Sequence, residues 1–264
     1  MTPRIANLAC RFTAGGRAFT LRRDAYGVMH AAAADDLALA AAYGYAHAHD
    51  RALQMLLVRV IGQGRLCELL DDSPASIVID LFMRRNLFAA CSAEEAVALD
   101  GRARDLAEAY AAGVNARLAQ GRPWELRLLG VPAEQWRPAD TLLTLRLMSF
   151  VGLAQAQGDA EIVLIQALRA GVDAAKLTRL FRPHLHGLDE GLLDAIRAVR
   201  HVPSLVPGLP PLPGLRASNN VAVAGRLSAS GSALYASDPH LEVNRLPAIW
   251  YLSLIHISEP TRPY

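Results

Sequence analysis

An α+β chain is predicted by three features of the sequence. Apolar residues at helical spacing run through most of the stretch before residue 203, a proline-rich segment then interrupts regular structure, and the alternating run Val221-Ala222-Val223 follows Ser218-Asn219-Asn220. Around residues 18–30 the pattern predicts a short strand pair with a turn. Asp35-Asp36 places acid at the start of a long alanine-rich helix, where the partial positive charge of a helix N-terminus favours it. Ser92-Ala93-Glu94-Glu95 reads as a capping box opening a helix that ends near Asp100-Gly101. The next helix reaches Ala119, with Leu106, Tyr110 and Val114 on one face. Pro138 suits a first helical turn, where its missing N–H leaves nothing unpaired. Helices near 138–156, 159–170, 173–181 and 189–200 follow, with Gly158, Gly171 and Gly187 between them, and no fixed-period repeat is visible.

Composition limits the function. With 264 residues, 52% of them hydrophobic, the chain can bury one or two cores, and no apolar run approaches the length that crosses a bilayer. A net charge of +2 gives no field for nucleic acid or anionic lipid, so neither is an expected partner. The basic residues are nearly all arginine, Lys176 being the only lysine. Three cysteines, Cys10, Cys67 and Cys91, form no Cys-x-x-Cys pair and suggest neither a disulfide framework nor zinc.

Residues 203–214, Pro-Ser-Leu-Val-Pro-Gly-Leu-Pro-Pro-Leu-Pro-Gly, cannot be regular helix, because each proline fixes its own φ and removes a donor. Taken alone they read as an extended linker between domains. Ser218 at the end of that linker is either a turn residue or a nucleophile. His240, inside Asp238-Pro239-His240-Leu241, is either structural or a base or ligand. Turn signals at Gly225-Arg226 and Gly231-Ser232 predict a hairpin that returns the second segment beside the first.

Many ordered motifs resemble the penicillin acylase family of N-terminal-nucleophile hydrolases, from Leu21 to Tyr251. They are Arg23-Asp24-Ala25-Tyr26-Gly27-Val28-Met29-His30, Gly44-Tyr45-Ala46-His47-Ala48-His49-Asp50-Arg51, Gln54-Met55, Gly64-Arg65-Leu66-Cys67-Glu68, Tyr110, Gly113-Val114-Asn115-Ala116, Leu129-Gly130 and Trp136-Arg137-Pro138-Ala139-Asp140. Met29 stands where the family usually has proline, and Cys67 where it usually has alanine. The resemblance is closest to the cephalosporin acylase and acyl-homoserine lactone acylase branches.

That resemblance implies a four-layer αββα sandwich in the full protein. Residues 1–202 correspond to the helical α-chain, 203–217 to an excised spacer and 218–251 to the start of the nucleophile-bearing β-chain. It implies self-cleavage between Ala217 and Ser218, although many relatives have glycine before the serine. Ser218 then becomes a chain terminus whose own α-amine serves as base, with His240 hydrogen-bonding near it and Asn219 and Asn220 as further site support. No cofactor is implied for catalysis. Glu161 matches a glutamate of a structural calcium site, whose remaining ligands would lie elsewhere, and it also reads as an ordinary first-turn helix acid. The implied partners are a small N-acyl amide and the missing remainder of the β-chain. Leu153-Ala154-Gln155-Ala156-Gln157 departs from the arginine and aromatic residue of penicillin-G-type relatives. Aliphatic acyl amides, acyl-homoserine lactones among them, are therefore the first expectation and β-lactam amides the second.

Residues 252–264 contain Ser253-Leu254-Ile255-His256-Ile257-Ser258-Glu259-Pro260-Thr261-Arg262, which reads like a translated sequencing adapter. The chain is accordingly expected to be a truncated precursor with a non-native tail, and inactive by itself because the family's oxyanion-hole asparagine comes from farther downstream. Met1-Thr2-Pro3-Arg4-Ile5 lacks the apolar core of a secretory signal, so the chain as given reads as cytoplasmic, or as periplasmic if its true start lies upstream. Look-alikes fail on geometry. His47 and His49 are two apart and cannot converge on a metal from one helix, and the His184/His186 pair has no third ligand nearby. A non-catalytic helical scaffold or a gene remnant is the alternative, and it leaves the conjunction of spacer, Ser218 and His240 unexplained.

Overall fold

The computed structural model describes residues 9–132, 134–150, 155–180, 189–199, 219–238 and 252–256. The chain divides into two compact units, residues 1–147 with 245–264, and residues 148–244. Both helices and strands are present, so the chain is α+β as expected.

The first unit is built on a four-stranded sheet in which Cys10–Ala14, Arg17–Arg23, Met29–Ala33 and Leu252–His256 lie side by side in that order. β1 (Cys10–Ala14) and β2 (Arg17–Arg23) are antiparallel with Phe12 opposite Phe19. Gly15 and Gly16 join them at φ 55° and 75°, the left-handed pair that a two-residue hairpin with the strands' own twist requires. β3 (Met29–Ala33) runs antiparallel to β2, confirming the predicted strand pair and its turn; β1 is an additional strand. β6 (Leu252–His256) pairs in parallel with β3. A ladder is a backbone interaction that accepts any extended segment, so this pairing is independent of where the tail originates.

Alternation gives the sheet its core face: Phe19, Leu21, Met29 and Ala31 are buried. Against it lies α1 (Asp36–Asp50), whose Ala38, Ala41, Ala42, Tyr45 and Ala46 join the same cluster. The helix opens as the acidic pair predicts, with Asp35 Oδ1 accepting from the Ala38 N–H at 2.8 Å. α2 (Ala52–Gln63) stops at Gly64, left-handed at φ 63°. After α3 (Leu66–Leu69), α4 (Pro74–Arg85) starts with Ser73 as N-cap and proline in its first turn. Then come α5 (Phe88–Ala98), α6 (Gly101–Leu118), α7 (Trp124–Leu128) and α8 (Pro138–Ser149).

The capping-box expectation at Ser92 is corrected. α5 begins four residues earlier, after Leu87 at φ 56°, and Ser92 is buried within it. A serine competes with the helix only where its hydroxyl can reach an end, and here the chain reverses at Asn86-Leu87 before it can do so.

In the second unit, α9 (Gln155–Arg169), α10 (Ala174–Leu180) and α11 (Glu190–Arg197) share a core of Leu164, Leu168, Leu177 and Leu193. The break expected at Gly158 does not occur, because one glycine costs a helix only about 1 kcal/mol. Gly171, at φ 77°, lies just beyond the end of α9 as expected. The unit also carries the antiparallel hairpin of β4 (Asn219–Val223) and β5 (Leu234–Asp238). Gly187 and the proline-rich stretch lie outside the described residues. Among the described residues no helix is long and apolar enough to cross a membrane.

Candidate active site

The hairpin is the part of the expected site that the structure describes. Its register pairs Asn219 with Asp238, Asn220 with Ser237, Val221 with Ala236, Ala222 with Tyr235 and Val223 with Leu234. A single 3-10 turn at Gly225–Leu227 starts the return. Gly225 approaches Gly231 so closely that a Cβ there would lie 2.4 Å from the Gly231 carbonyl oxygen, and Gly231 itself is left-handed at φ 72°. The two predicted turn glycines are thus both required, one for space and one for conformation. Strand alternation puts Asn219, Val221 and Val223 on one face of β4 and Asn220 and Ala222 on the other. Tyr235 Oη donates to Asn220 Oδ1 at 2.7 Å. The contact of Tyr235 with Asn220 is not legible in the sequence, because an aromatic in a short alternating strand carries no signal that separates it from ordinary packing.

Ala217, Ser218 and His240 lie outside the described residues. Ser218 precedes β4 directly, and His240 follows the end of β5 by two residues. Glu161 lies exposed on α9, where its Oε1 accepts from Gln157 Nε2 at 2.8 Å, one helical turn away. No group of three or more His, Cys, Asp or Glu that could hold a metal occurs among the described residues. Glu161 therefore offers a single carboxylate against the roughly six to eight oxygens calcium takes.

The motifs from the N-terminal half form polar pins that hold elements together. Arg23 Nη2 donates to both Asp50 carboxylate oxygens at 2.6 and 2.8 Å, tying β2 to the end of α1, and His49 Nδ1 lies 2.8 Å from the same carboxylate. Burial pushes the Asp50 carboxyl up, but hydrogen bonds from His49 and Arg23 outweigh it and leave its pKa below the ordinary value. Asp24 closes the β2–β3 turn: Oδ1 accepts from the N–H groups of Tyr26 and Val28, and Oδ2 lies 2.7 Å from His30 Nε2. The histidine bond leads the depression of the Asp24 pKa. Buried Asp80 accepts from the Leu66 and Cys67 N–H groups at 2.8 and 2.9 Å, capping α3 from α4. Asn115 and Trp136 exchange two bonds of 2.8 Å, side chain to backbone in both directions. Arg59, buried, stacks 5.5 Å from the Trp136 ring between Glu134 and Asp140. His47 is held by packing: Nδ1 meets Tyr110 Oη at 2.8 Å and its ring lies 4.1 Å from that of Tyr43.

A family model, penicillin amidase, matches residues 18–262. The chain belongs to the penicillin amidase family. An acyl-homoserine lactone acylase, QuiP, of Pseudomonas aeruginosa is 37% identical over 224 residues, 79% of this chain and 26% of that protein. The penicillin acylase 2 proenzyme of a Pseudomonas species is 30% identical over 248 residues, 87% of this chain and 31% of that one. Among solved structures, a thermostable penicillin G acylase from Alcaligenes faecalis covers 72% of this chain and 98% of its own, at 24% identity and a TM-score of 0.48. This penicillin amidase family chain thus spans about a quarter to a third of the length of the curated relatives it matches. Those relatives are acylases, and the motif pins above belong to the part of the family that the chain contains.

Proposed function

We propose that this chain is the N-terminal part of a self-processing amidohydrolase in which Ser218 is the nucleophile. The observation that carries this reading is the pairing of Asn219 with Asp238. It sets the strand that starts after Ser218 beside the strand that leads into Pro239-His240, within a family whose named relatives are acylases.

The chemistry follows from a chain terminus. Cleavage of the Ala217–Ser218 bond frees an α-amine with an ordinary pKa of about 7.7–8.0, partly neutral near pH 7. Acting through a water, that amine takes the Ser218 hydroxyl proton as Oγ attacks the carbonyl carbon of an N-acyl amide. The C–N bond then breaks, the amine leaves with the proton, and the acyl group remains on Oγ as an ester. Water adds to the ester carbonyl, the acid departs, and the hydroxyl regains its proton. In this reading His240 hydrogen-bonds beside the amine, Asn219 and Asn220 support the site, and Glu161 would supply one oxygen ligand if a structural calcium were bound. Acyl-homoserine lactones are the preferred substrates, with β-lactam amides second, and hydrolysis of the former would quench quorum signals.

Residues 252–264 are read as adapter-derived, and the 264-residue chain as inactive for want of the downstream oxyanion donor. Losing one such donor costs about 10²–10³ in rate. The test is to sequence the gene through codon 252, express the whole frame and take intact masses of wild type and Ser218→Ala. Two chains, the second beginning at Ser218, are expected from wild type and one uncleaved chain from the variant. A wild-type precursor that stays whole, or a frame that truly ends at Tyr264, would overturn the reading and leave a non-catalytic remnant.

A further inference from the structure

We propose that the exposed face of α4 is a self-complementary docking surface for a second copy of this chain, pairing the two α4 helices antiparallel across a twofold axis. Pro74, Ile77, Val78, Leu81, Arg84 and Arg85 recur at helical spacing and are all exposed, forming one stripe along the helix. The other face is the one the fold uses: Ser76, Asp80 and Met83 are buried, and Asp80 caps α3. Ile77, Val78 and Leu81 are 47%, 40% and 46% exposed, and Leu87, just past the helix end, is 57% exposed. Single exposed apolar residues are ordinary on a protein surface, whereas a row of them on one helix face marks an interaction surface.

Charge decides which partner the face takes. Asp72 lies exposed before α4 and Arg85 exposed at its last position, and among the described residues neither has an ion-pair partner. Their neighbours are engaged within the chain: Asp71 accepts from the Ser73 and Ser76 hydroxyls at 2.6 and 2.8 Å, and Arg84 Nε donates to the Gly64 carbonyl at 2.8 Å. A helix of 12 residues is about 18 Å long, so Asp72 and Arg85 cannot reach each other within one chain. Midway between them lie positions 78 and 79, the middle of the apolar row. A twofold axis through that point sets Asp72 of each copy beside Arg85 of the other and lays Ile77, Val78 and Leu81 against their own equivalents. Ile77, Leu81 and Arg85, four apart, make one ridge and Pro74 and Val78 the next, so the ridges of one helix enter the grooves of the other. A purely acidic or purely basic partner would satisfy one end of the stripe, whereas a copy of the chain satisfies both. One helix face covers less than the roughly 1,200–2,000 Å² of a standard interface, so the dimer is weak, with a dissociation constant on the order of 10 μM.

The test is sedimentation velocity from about 1 to 100 μM on the 264-residue chain and on the product of the whole reading frame, with thermal midpoints to confirm folding. No readout involves Ser218. Wild type should pass from monomer to dimer across that range, and Val78→Glu, which puts a charge at the axis, should stay monomeric. Asp72→Arg and Arg85→Asp each bring like charges together at both ends of the interface and should weaken the dimer about tenfold. Mixed together, these two variants restore both opposite-charge pairs, so a heterodimer about as tight as the wild-type dimer should form. The Asp72→Arg/Arg85→Asp double variant should dimerise likewise. A wild type that stays monomeric at the highest concentration, larger assemblies indifferent to the reversals, or a mixture no tighter than its components would overturn the proposal. So would a whole-frame product that stays monomeric while the 264-residue chain dimerises, because the rest of the polypeptide would then be what covers α4.

Discussion

His47 is the residue whose chemistry the surroundings change most plainly. Burial lowers its pKa to about 4, with the Asp50 charge opposing the shift, so the imidazole is neutral in the folded protein at neutral pH. The unfolded chain titrates near 6.5 and therefore binds more protons between the two values. Stability is thus lost as pH falls from about 6.5 towards 4, by an upper bound of about 3 kcal/mol. Urea midpoints at pH 7 and pH 4.5 should show this loss, and His47→Gln, which keeps a partner for the Tyr110 hydroxyl, should reduce it. An equal loss in both proteins would place the acid sensitivity elsewhere. Asp80 gives a second test at this scale. Truncation to alanine leaves the Leu66 and Cys67 N–H groups without their acceptor and should cost about 2 kcal/mol, read by chemical denaturation. In the sequence Asp80 is one acid in an otherwise apolar run, and nothing marks it as a cap for residues thirteen and fourteen positions earlier.

At the scale of elements, the crossing of α1 and α6 is set by two glycines. A Cβ on Gly44 would lie 2.1 Å from the Tyr110 carbonyl oxygen, and one on Gly113 would lie 1.9 Å from that of Ala41. Both obstacles are backbone, so neither can rotate away. Gly44→Ala and Gly113→Ala should each destabilise by about 3 kcal/mol, measured by thermal or denaturant unfolding, although alanine is the better helix former. Wild-type stability in either variant would mean that the helices separate at little cost. Local signals located the start of α1, the turn between β2 and β3, and the hairpin glycines, because in each the deciding interaction lies within a few residues. They misplaced the start of α5 and broke α9 at Gly158, because helix boundaries there depend on what packs against the helix.

For the molecule as a whole, the pattern of exposure fits a chain that is part of a larger protein. Val221 and Leu234 on the apolar face of the hairpin are 56% and 54% exposed, and Ile77, Val78 and Leu81 form an exposed row on α4. Expressed alone, the 264-residue chain should bind a hydrophobic dye and self-associate, as dye fluorescence and light scattering would report, and should show no Ser218-dependent acylase turnover. A monodisperse, dye-silent protein or measurable turnover would contradict this. Sequence by itself determined the family, the α+β class and the hairpin, because motifs and turns are written in neighbouring residues. Tertiary structure alone decided what most motif residues do. Arg23 with Asp50, His47 with Tyr110, Asn115 with Trp136 and Asn220 with Tyr235 are partners separated by 15 to 63 positions. Such pairings follow from which faces the helices and strands bury against one another, and local propensity carries no record of them.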